Sequence, residues 1–390
     1  MTSHLRTRRP GFWLGARTTS GLVAVALCGL VIASCETLPG GGGGRAIPAE
    51  EARRDFKPDD ASYAKLGFRR DWTGFPHVAR ARQPVRFIDV AEDLVIVQDT
   101  RNTITALNGG NGSQRWATTI ANPLTRFHGL IRESGQVHGA AEAEVFTLDL
   151  ATGTLTSRQQ FDRLASSMPV LVGDTMVYGT GDGRVLGHNL TLNVGAGGNT
   201  IDGSVRVPVA IVGDAVGVVS DSGSVMFLDA GTLRLISRSS MYRGSVSAPI
   251  AGDSMMFVAS LDQSIYAFAQ GASRPVWSYL TQSPLRSQPV HADGVVYCDI
   301  PGEGMVAFEA YSGRKIWTQK GVGGTIIGRN KGRLIAWDGQ TATTLDPATG
   351  DIIDRVTLPN LTHVLMDRFD GGNLYVVTNK GAVGKFTVSY

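Results

Sequence analysis

The residues that could support catalysis or metal binding are few and scattered along this chain. Beyond residue 35 it carries six histidines and one cysteine: His77, His128, His138, His188, His291, His363 and Cys298. Zinc sites use histidine, cysteine and carboxylate ligands, often at short regular spacings, and no such spacing occurs here. There is also no Gly-x-Ser-x-Gly nucleophile elbow and no glycine-rich phosphate loop. The sequence therefore predicts a protein that is not an enzyme, with no catalytic, metal or cofactor-binding residue.

Two further motifs suggest ligand chemistry but fit structural roles better. Thr180-Gly181-Asp182-Gly183 resembles part of a calcium loop, yet it lacks the alternating acids that such a loop needs. It falls where a hairpin turn is expected. Cys298 alternates with Val296 on an apolar run, which predicts a buried packing residue rather than a reactive thiol.

One loop has a composition typical of partner contacts. Met241-Tyr242-Arg243-Gly244 puts an aromatic residue and an arginine just before Ser245-Val246-Ser247-Ala248-Pro249, where a strand is expected to begin. Leu285-Arg286 is interpreted as the equivalent place one repeat later. The candidate partner-binding residues are Tyr242, Arg243 and Arg286; the alternative is an ordinary polar loop.

The elements that must position these residues repeat along the chain. Each unit has four short apolar runs separated by Gly/Asp turns. In one unit, Ser287-Gln288-Pro289-Val290 opens the first run, and the segment from Val295 to Trp317 contains the other three. The second run of successive units begins near Leu94, Gln136, Met176, Ala215, Met255, Val295, Arg333 and Asn373. The steps of 38 to 42 residues are typical of a β-propeller, so eight blades of four antiparallel strands are predicted.

Tryptophan spacing predicts how the ring closes. Trp116, Trp277 and Trp317 each lie 22 residues after the start of their unit's second strand. By this spacing the eighth unit would place its tryptophan near position 395, whereas Trp72 lies 44 residues before Trp116. Residues near 66–74 are therefore predicted to complete the C-terminal blade, which removes a free sheet edge.

The N-terminal region predicts export and lipid attachment. Four arginines precede an apolar run, 21–33, that is too short to span a bilayer, as in a secretory signal. Ile32-Ala33-Ser34-Cys35 resembles a bacterial lipobox, which predicts residues 1–34 as a lipoprotein signal peptide and Cys35 as the lipidated (palmitate-bearing) anchor. An ordinary signal peptide is the alternative, and Arg8-Arg9 leaves twin-arginine export open.

The rest of the chain divides into a tether and a ring. Residues 35–65 contain five successive glycines, 40–44, and an unpatterned charged stretch, which predict a flexible tether. Residues 66–390 are predicted to form one propeller. The chain has 37 basic and 34 acidic residues in total, and residues 1–34 contain four arginines and no acidic residue. Removing them leaves a net charge of about −1. This balance gives no indication of a nucleic-acid partner.

The repeat also resembles a known family. Ala106-Leu107-Asn108 followed by Gly112-Ser113-Gln114-Arg115-Trp116 is similar to the quinoprotein-type (PQQ-like) propeller repeat, and the resemblance covers nearly all of the mature chain. Combined with a lipobox, a tether and a single ring, it resembles the BamB family of outer-membrane assembly lipoproteins.

That resemblance implies a non-enzymatic, monomeric scaffold at the periplasmic face of the outer membrane. It would dock on a β-barrel assembly protein and help to hand over unfolded outer-membrane proteins. In that family an Arg-Gly loop before a Ser-Ala-Pro strand contacts the partner, and Arg243-Gly244 with Ser247-Ala248-Pro249 is similar. Here the loop precedes the fifth blade, one blade later than the resemblance implies.

Two alternatives from other functional classes remain. A quinoprotein dehydrogenase would resemble this ring, but those enzymes carry adjacent cysteines and a calcium site, and the mature chain has one cysteine. A sensory or glycan-binding envelope propeller would need an aromatic and polar cluster at the mouth of the channel.

Overall fold

The computed structural model describes residues 46–252 and 254–389. The predicted signal peptide, Cys35 and the glycine run lie outside the described residues. The described residues form eight four-stranded antiparallel sheets, in each of which hydrogen-bonded neighbours follow a meander. The fold is an eight-bladed β-propeller, as the repeat predicted, and the second strands begin within one residue of the predicted positions.

Blades 1 to 7 each use four consecutive strands. The strands of blades 1 to 4 are β2 (Val85–Val90), β3 (Leu94–Asp99), β4 (Thr103–Asn108), β5 (Gln114–Thr119); β6 (Phe127–Glu133), β7 (Gln136–Ala141), β8 (Glu144–Asp149), β9 (Leu155–Gln160); β10 (Val170–Val172), β11 (Thr175–Gly179), β12 (Arg184–Asn189), β13 (Val194–Thr200); and β14 (Ala210–Val212), β15 (Ala215–Val219), β16 (Ser224–Asp229), β17 (Leu235–Ser240).

The strands of blades 5 to 7 are β18 (Ile250–Gly252), β19 (Met255–Ala259), β20 (Ser264–Ala269), β21 (Trp277–Leu280); β22 (Val290–Ala292), β23 (Val295–Ile300), β24 (Gly304–Glu309), β25 (Lys315–Gln319); and β26 (Thr325–Asn330), β27 (Arg333–Trp337), β28 (Thr341–Leu345), β29 (Ile352–Thr357). Blade 8 combines β30 (Leu361–Met366), β31 (Leu374–Thr378) and β32 (Val383–Val388) with the N-terminal strand β1 (Phe68–Gly74).

Burial follows strand position within each blade. The second strands β3, β15 and β19 are buried along their whole length, because both faces of the sheet pack against neighbouring blades. First strands of neighbouring blades contact one another, as β2 and β6 do, and so surround the axis. The fourth strands β9 and β17 are largely exposed, as expected of an outer edge. Blade-to-blade packing therefore forms the core.

The ring closes as predicted. Strand β1 pairs antiparallel with β32, from Phe68 opposite Val388 to Gly74 opposite Val383. The first strand of the chain thus becomes the outer strand of the last blade. This pairing leaves β32 with no free edge and joins both ends of the described chain.

A tryptophan contact between blades explains the recurring Trp and Gly positions. The Trp116 indole N–H donates to the Leu150 carbonyl in the next blade at 3.0 Å, and its ring covers Gly153. Gly153 has a φ of +71°, and a Cβ there would lie 2.4 Å from the ring, so this turn needs glycine. Trp72 makes the same contact with the Gly109 carbonyl at 2.8 Å. We call this contact the tryptophan latch.

The segment before the ring differs from the prediction. Its described part, from Ala46, contains helices α1 (Ala49–Asp55) and α2 (Asp60–Lys65) rather than unpatterned chain. Tyr63 of α2 is 3% exposed and stacks on Phe386 of blade 8 with ring centroids 3.7 Å apart. The flexible-tether interpretation of residues 35–65 is therefore wrong for residues 46–65, because their apolar side chains pack on the ring.

Candidate interaction surface

The two faces of the ring are built from different connections. Because the strands alternate in direction, loops between successive blades lie on the same side as the turns between second and third strands. We call this side the inter-blade face. The turns between first and second strands and between third and fourth strands lie on the opposite face. The candidate residues Tyr242, Arg243 and Arg286 all lie in loops of the inter-blade face.

The loop between blades 4 and 5 presents its side chains to solvent. Tyr242 is 91% exposed, and Arg243 and Val246 are also exposed. The residues on either side are buried, with Met241 and Ser245 each 7% exposed. An aromatic residue and an arginine therefore project from a loop whose ends are held in the ring, as predicted from composition.

Hydrogen bonds from the next blade hold the backbone of this loop. The Tyr242 N–H donates to the Asp262 carboxylate at 3.0 Å, and the Ser260 hydroxyl donates to the Arg243 carbonyl at 2.8 Å. Asp262 also accepts from the Tyr266 hydroxyl at 2.9 Å. A loop fixed in this way loses little conformational entropy when a partner binds.

Gly244 brings the loop close to the preceding blade. A Cβ at this position would lie 2.2 Å from the Ser220 carbonyl oxygen, a backbone atom that cannot easily move. The Gly244 N–H donates to the Asp221 carbonyl at 3.2 Å, and its own carbonyl accepts from the Leu261 N–H at 2.9 Å. Glycine is thus required here by close backbone contact with the loops of both blades.

Arg286 lies in the next inter-blade loop, but not at the place equivalent to Arg243. The buried residues Thr281 and Leu285 correspond to Met241 and Ser245 in the loop before. Arg286 directly follows Leu285, so its counterpart is Val246. The interpretation of Leu285-Arg286 as the equivalent place is therefore wrong in register, although both arginines are exposed on the same face.

Sequence reasoning missed three arginines on this face. Each of the five loops from blade 1–2 to blade 5–6 carries one exposed arginine: Arg126, Arg163, Arg206, Arg243 and Arg286. Aligning the loops between a fourth strand and the next first strand would have revealed the series. Two of these loops also carry an exposed leucine: Leu124 is 90% exposed and Leu164 is 65% exposed.

The five arginines differ in their partners. Arg126 lies 3.6 Å from the Glu142 carboxylate, and Arg206 lies 3.4 Å from the Asp221 carboxylate. Arg243 and Arg286 form no ion pair with any residue in 46–252 or 254–389. Their guanidinium groups are available to an acidic or hydrogen-bond-accepting partner, and Arg243 directly follows the exposed Tyr242 in the chain.

The remaining sequence candidates occupy structural positions. Cys298 is 1% exposed, and burial raises the pKa of its thiol to about 12, so it is protonated at neutral pH. Asp182 lies in the turn between β11 and β12 and accepts a hydrogen bond from the Thr180 hydroxyl, as a turn residue would. Among the described residues no cluster of three or more His, Cys, Asp or Glu could hold a metal ion.

Within the part of the chain that the structure describes, no helix combines the length and apolar character needed to cross a bilayer.

Fold and repeat define the class of protein as an eight-bladed propeller of the quinoprotein type. The family model described as "Outer membrane protein assembly factor BamB" matches residues 141–298 and 221–388, which together extend over more than half of the chain. The chain belongs to this family. A search of curated proteins finds no significant match.

Solved structures support the fold. The crystal structure of BamB from Moraxella catarrhalis has a TM-score of 0.61 at 17% identity, covering 80% of this chain and 98% of that one. The crystal structure of the computationally designed Ika8 protein has a TM-score of 0.68 at 12% identity, covering 82% of this chain and 99% of that one. The crystal structure of the C-terminal WD40 domain of Sif2 has a TM-score of 0.62 at 11% identity, covering 81% of this chain and 99% of that one. Family and fold together indicate a protein-interaction scaffold.

Proposed function

We propose that this protein is a non-enzymatic, lipid-anchored scaffold that binds a β-barrel assembly protein during outer-membrane protein assembly. The observation that carries the proposal is the exposed Tyr242-Arg243 loop on a ring that belongs to the BamB family. Tyrosine and arginine are the residues most enriched at energetically important interface positions. The loop is already held in shape by Asp262 and Ser260.

The arrangement of charge and apolar surface favours this face over the opposite one as the docking surface. Five successive inter-blade loops each carry an exposed arginine, and three of the same loops add the exposed apolar residues Leu124, Leu164 and Val246. Interfaces typically combine a few aromatic, apolar and arginine anchors with a polar rim. The docking surface in this proposal is therefore the arc of loops from blade 1–2 to blade 5–6.

Membrane attachment and location are part of the proposal. Cys35 would carry the lipid, and the segment between it and Ala46 would connect the lipid to the ring. Glu36 follows the lipidated cysteine, which favours the periplasmic face of the outer membrane. The ring would then meet its partner at the membrane surface, and no cofactor would be needed.

The test is recovery of partners from native membranes. The lipidated full chain is crosslinked, purified and analysed by mass spectrometry, beside the Arg243→Glu variant. We expect a β-barrel assembly protein in the wild-type sample and about a tenfold or greater loss with Arg243→Glu, because charge reversal removes the interface anchor. Arg234→Glu is the matched control, since Arg234 is exposed in a turn of the opposite face. Absence of any barrel assembly protein would reject the proposal.

A further inference from the structure

A cleft lies between blades 2 and 3. Its volume is about 490 Å³, within the range of about 300–1,000 Å³ that is typical of small-molecule sites. Residues that line it include His138, Thr147 and Ser157 of blade 2 and Asp174 of blade 3. Because it is bounded by turns such as Glu133-Ser134 and Gly173-Asp174, it opens on the opposite face, away from the proposed docking surface.

The tryptophan latch is missing at this junction, as it is in blades 3, 4 and 7, whose fourth strands also lack a tryptophan. In blade 2, Ser157 of the fourth strand pairs with Thr147 of the third strand. Trp116 and Ala106 form the equivalent pair in blade 1, so Ser157 stands where the latch has its tryptophan. The turn residue of blade 3 that faces this position is Asn193, with a φ of +54°, where the latch has a glycine. Both halves of the latch are thus replaced, and a large indole is exchanged for a small hydroxyl.

A row of polar residues across blade 2 replaces an apolar row. In blades 1, 5 and 6 the residues paired across the second, third and fourth strands are Ile96-Ala106-Trp116, Phe257-Ala267-Trp277 and Tyr297-Ala307-Trp317. In blade 2 the row is His138-Thr147-Ser157. Three polar side chains in register are costly to bury unless they gain hydrogen-bond partners, so the row is suited to a polar ligand.

His138 is the buried polar group at the base of the cleft. It is 3% exposed, and its Nδ1 lies 3.0 Å from the Thr147 hydroxyl. Its Nε2 has no hydrogen-bond partner among the described residues. Burial lowers the pKa of His138, so the ring is neutral at pH 7 and offers one nitrogen to the cleft.

Hydrogen-bond acceptors dominate the lining. Glu133 and Asp174 contribute carboxylates at the mouth, and among the described lining residues there is no lysine or arginine. The hydroxyls of Thr156 and Thr191 already donate, to the Thr147 carbonyl at 3.1 Å and to Asp174 at 3.0 Å. Their remaining lone pairs can only accept. A ligand that matches this lining carries positive charge and several N–H or O–H donors.

The Gln159 side chain fixes the wall of the cleft. Its amide donates to the Leu190 carbonyl of blade 3 at 2.8 Å. Leu190 occupies the position in blade 3 that Leu150, the acceptor of the Trp116 latch, occupies in blade 2. Its amide oxygen lies 2.9 Å from Nε2 of His188. These two hydrogen bonds join blade 2 to blade 3 and fix one wall of the cleft.

We propose that this cleft is a binding site for a small ligand that bears a primary ammonium group flanked by further hydrogen-bond donors. Glu133 and Asp174 receive the ammonium, and the row His138-Thr147-Ser157 receives the other polar groups. Such chemistry occurs in an amino sugar and in the lysine side chain of a short peptide. The site is independent of the proposed docking surface, so either proposal can fail without the other.

The test compares charged and neutral probes on the detergent-solubilised full chain by ligand-observed NMR titration. Glucosamine is paired with N-acetylglucosamine, and the N-acetylated peptide Gly-Lys-Gly with N-acetylated Gly-Gln-Gly, so that the second member of each pair has no primary ammonium group. We expect the charged member of one pair to bind at least about tenfold more tightly than its neutral partner. Preference for glucosamine would indicate that the ligand is an amino sugar. Preference for Gly-Lys-Gly would indicate that it is a lysine side chain of a short peptide. Equal binding within both pairs, or no binding of any probe, would overturn the proposal.

Two variants locate the site. The double variant Ser157→Trp/Asn193→Gly restores the latch, so it should fill the cleft and abolish binding while the melting temperature stays at or above that of the parent. Glu133→Gln/Asp174→Asn changes only exposed side chains and should weaken binding of the charged probe about tenfold. Unchanged affinity in the charge variant would overturn the proposal, even if the latch variant fails to fold.

Discussion

At the scale of single residues, the shape of the candidate loop depends on Gly244. We expect Gly244→Ala to lower the free energy of unfolding by about 1–3 kcal/mol, because the added methyl would meet the Ser220 carbonyl at 2.2 Å. Gly181→Ala is the control, since a Cβ there meets nothing within 4 Å, and it should change stability by less than about 0.5 kcal/mol. Urea denaturation monitored by tryptophan fluorescence measures both. Equal midpoints for the two variants would contradict the steric explanation.

Single-residue features were only partly predictable. The exposure of Tyr242 and Arg243 and the burial of Cys298 followed from composition and alternation. The register of Arg286 did not, because two loops of similar composition can be aligned in more than one way until their buried anchors are known. The polar row at His138 was missed for a similar reason, since cross-strand pairing is set by the register of bulged strands.

At the scale of elements, the closing strand should behave like any other outer strand. Trp72 and Trp116 make the same latch to the next blade, at 2.8 Å and 3.0 Å. We therefore expect Trp72→Ala and Trp116→Ala to lower the free energy of unfolding by similar amounts, about 3–5 kcal/mol each. Denaturant titration of both variants is the measurement. If Trp72→Ala has only the effect of a surface substitution, the N-terminal strand does not close the ring.

Repeats explain why most elements were predictable. Eight copies of one strand pattern, with glycine and tryptophan at fixed offsets, predict the blades and even the split eighth blade. Helices α1 and α2 occur once and have seven and six residues. Helices this short are barely stable in isolation and depend on tertiary packing, which here is the stacking of Tyr63 on Phe386. Such packing leaves little trace in the local sequence.

At the scale of the whole molecule, buried histidines should make the ring sensitive to acid. Burial lowers the pKa of His128, His138, His188 and His363 from the ordinary value of about 6.5. Above that value both folded and unfolded chains are neutral at these positions. As pH falls below it, the unfolded chain binds protons that the folded chain does not, so stability decreases. We expect the urea midpoint to fall between pH 7.5 and pH 5.5.

The same series on His363→Gln provides the control. Removing one of the four histidines should make the dependence on pH shallower in that window, because one fewer group takes up a proton on unfolding. A urea midpoint that stays constant or rises on acidification would contradict the account of these histidines.

The two proposed sites lie on different faces of the ring. The inter-blade face presents five arginines and exposed apolar side chains, and the cleft between blades 2 and 3 opens on the opposite face, which also carries exposed residues such as Arg234 and Tyr311. A scaffold of this kind can contact a protein with one face while the other face remains open to a second, smaller ligand. Which face meets the proposed assembly partner is the central question.

Site-specific photo-crosslinking answers that question most directly. A photoreactive amino acid is placed at Tyr242 on the inter-blade face or at Tyr311 on the opposite face, where the side chain is 79% exposed. Irradiation of cells that express the full chain should then link a β-barrel assembly protein to position 242 and not to position 311. Crosslinks to that protein from position 311 alone, or from neither position, would contradict the proposed docking surface.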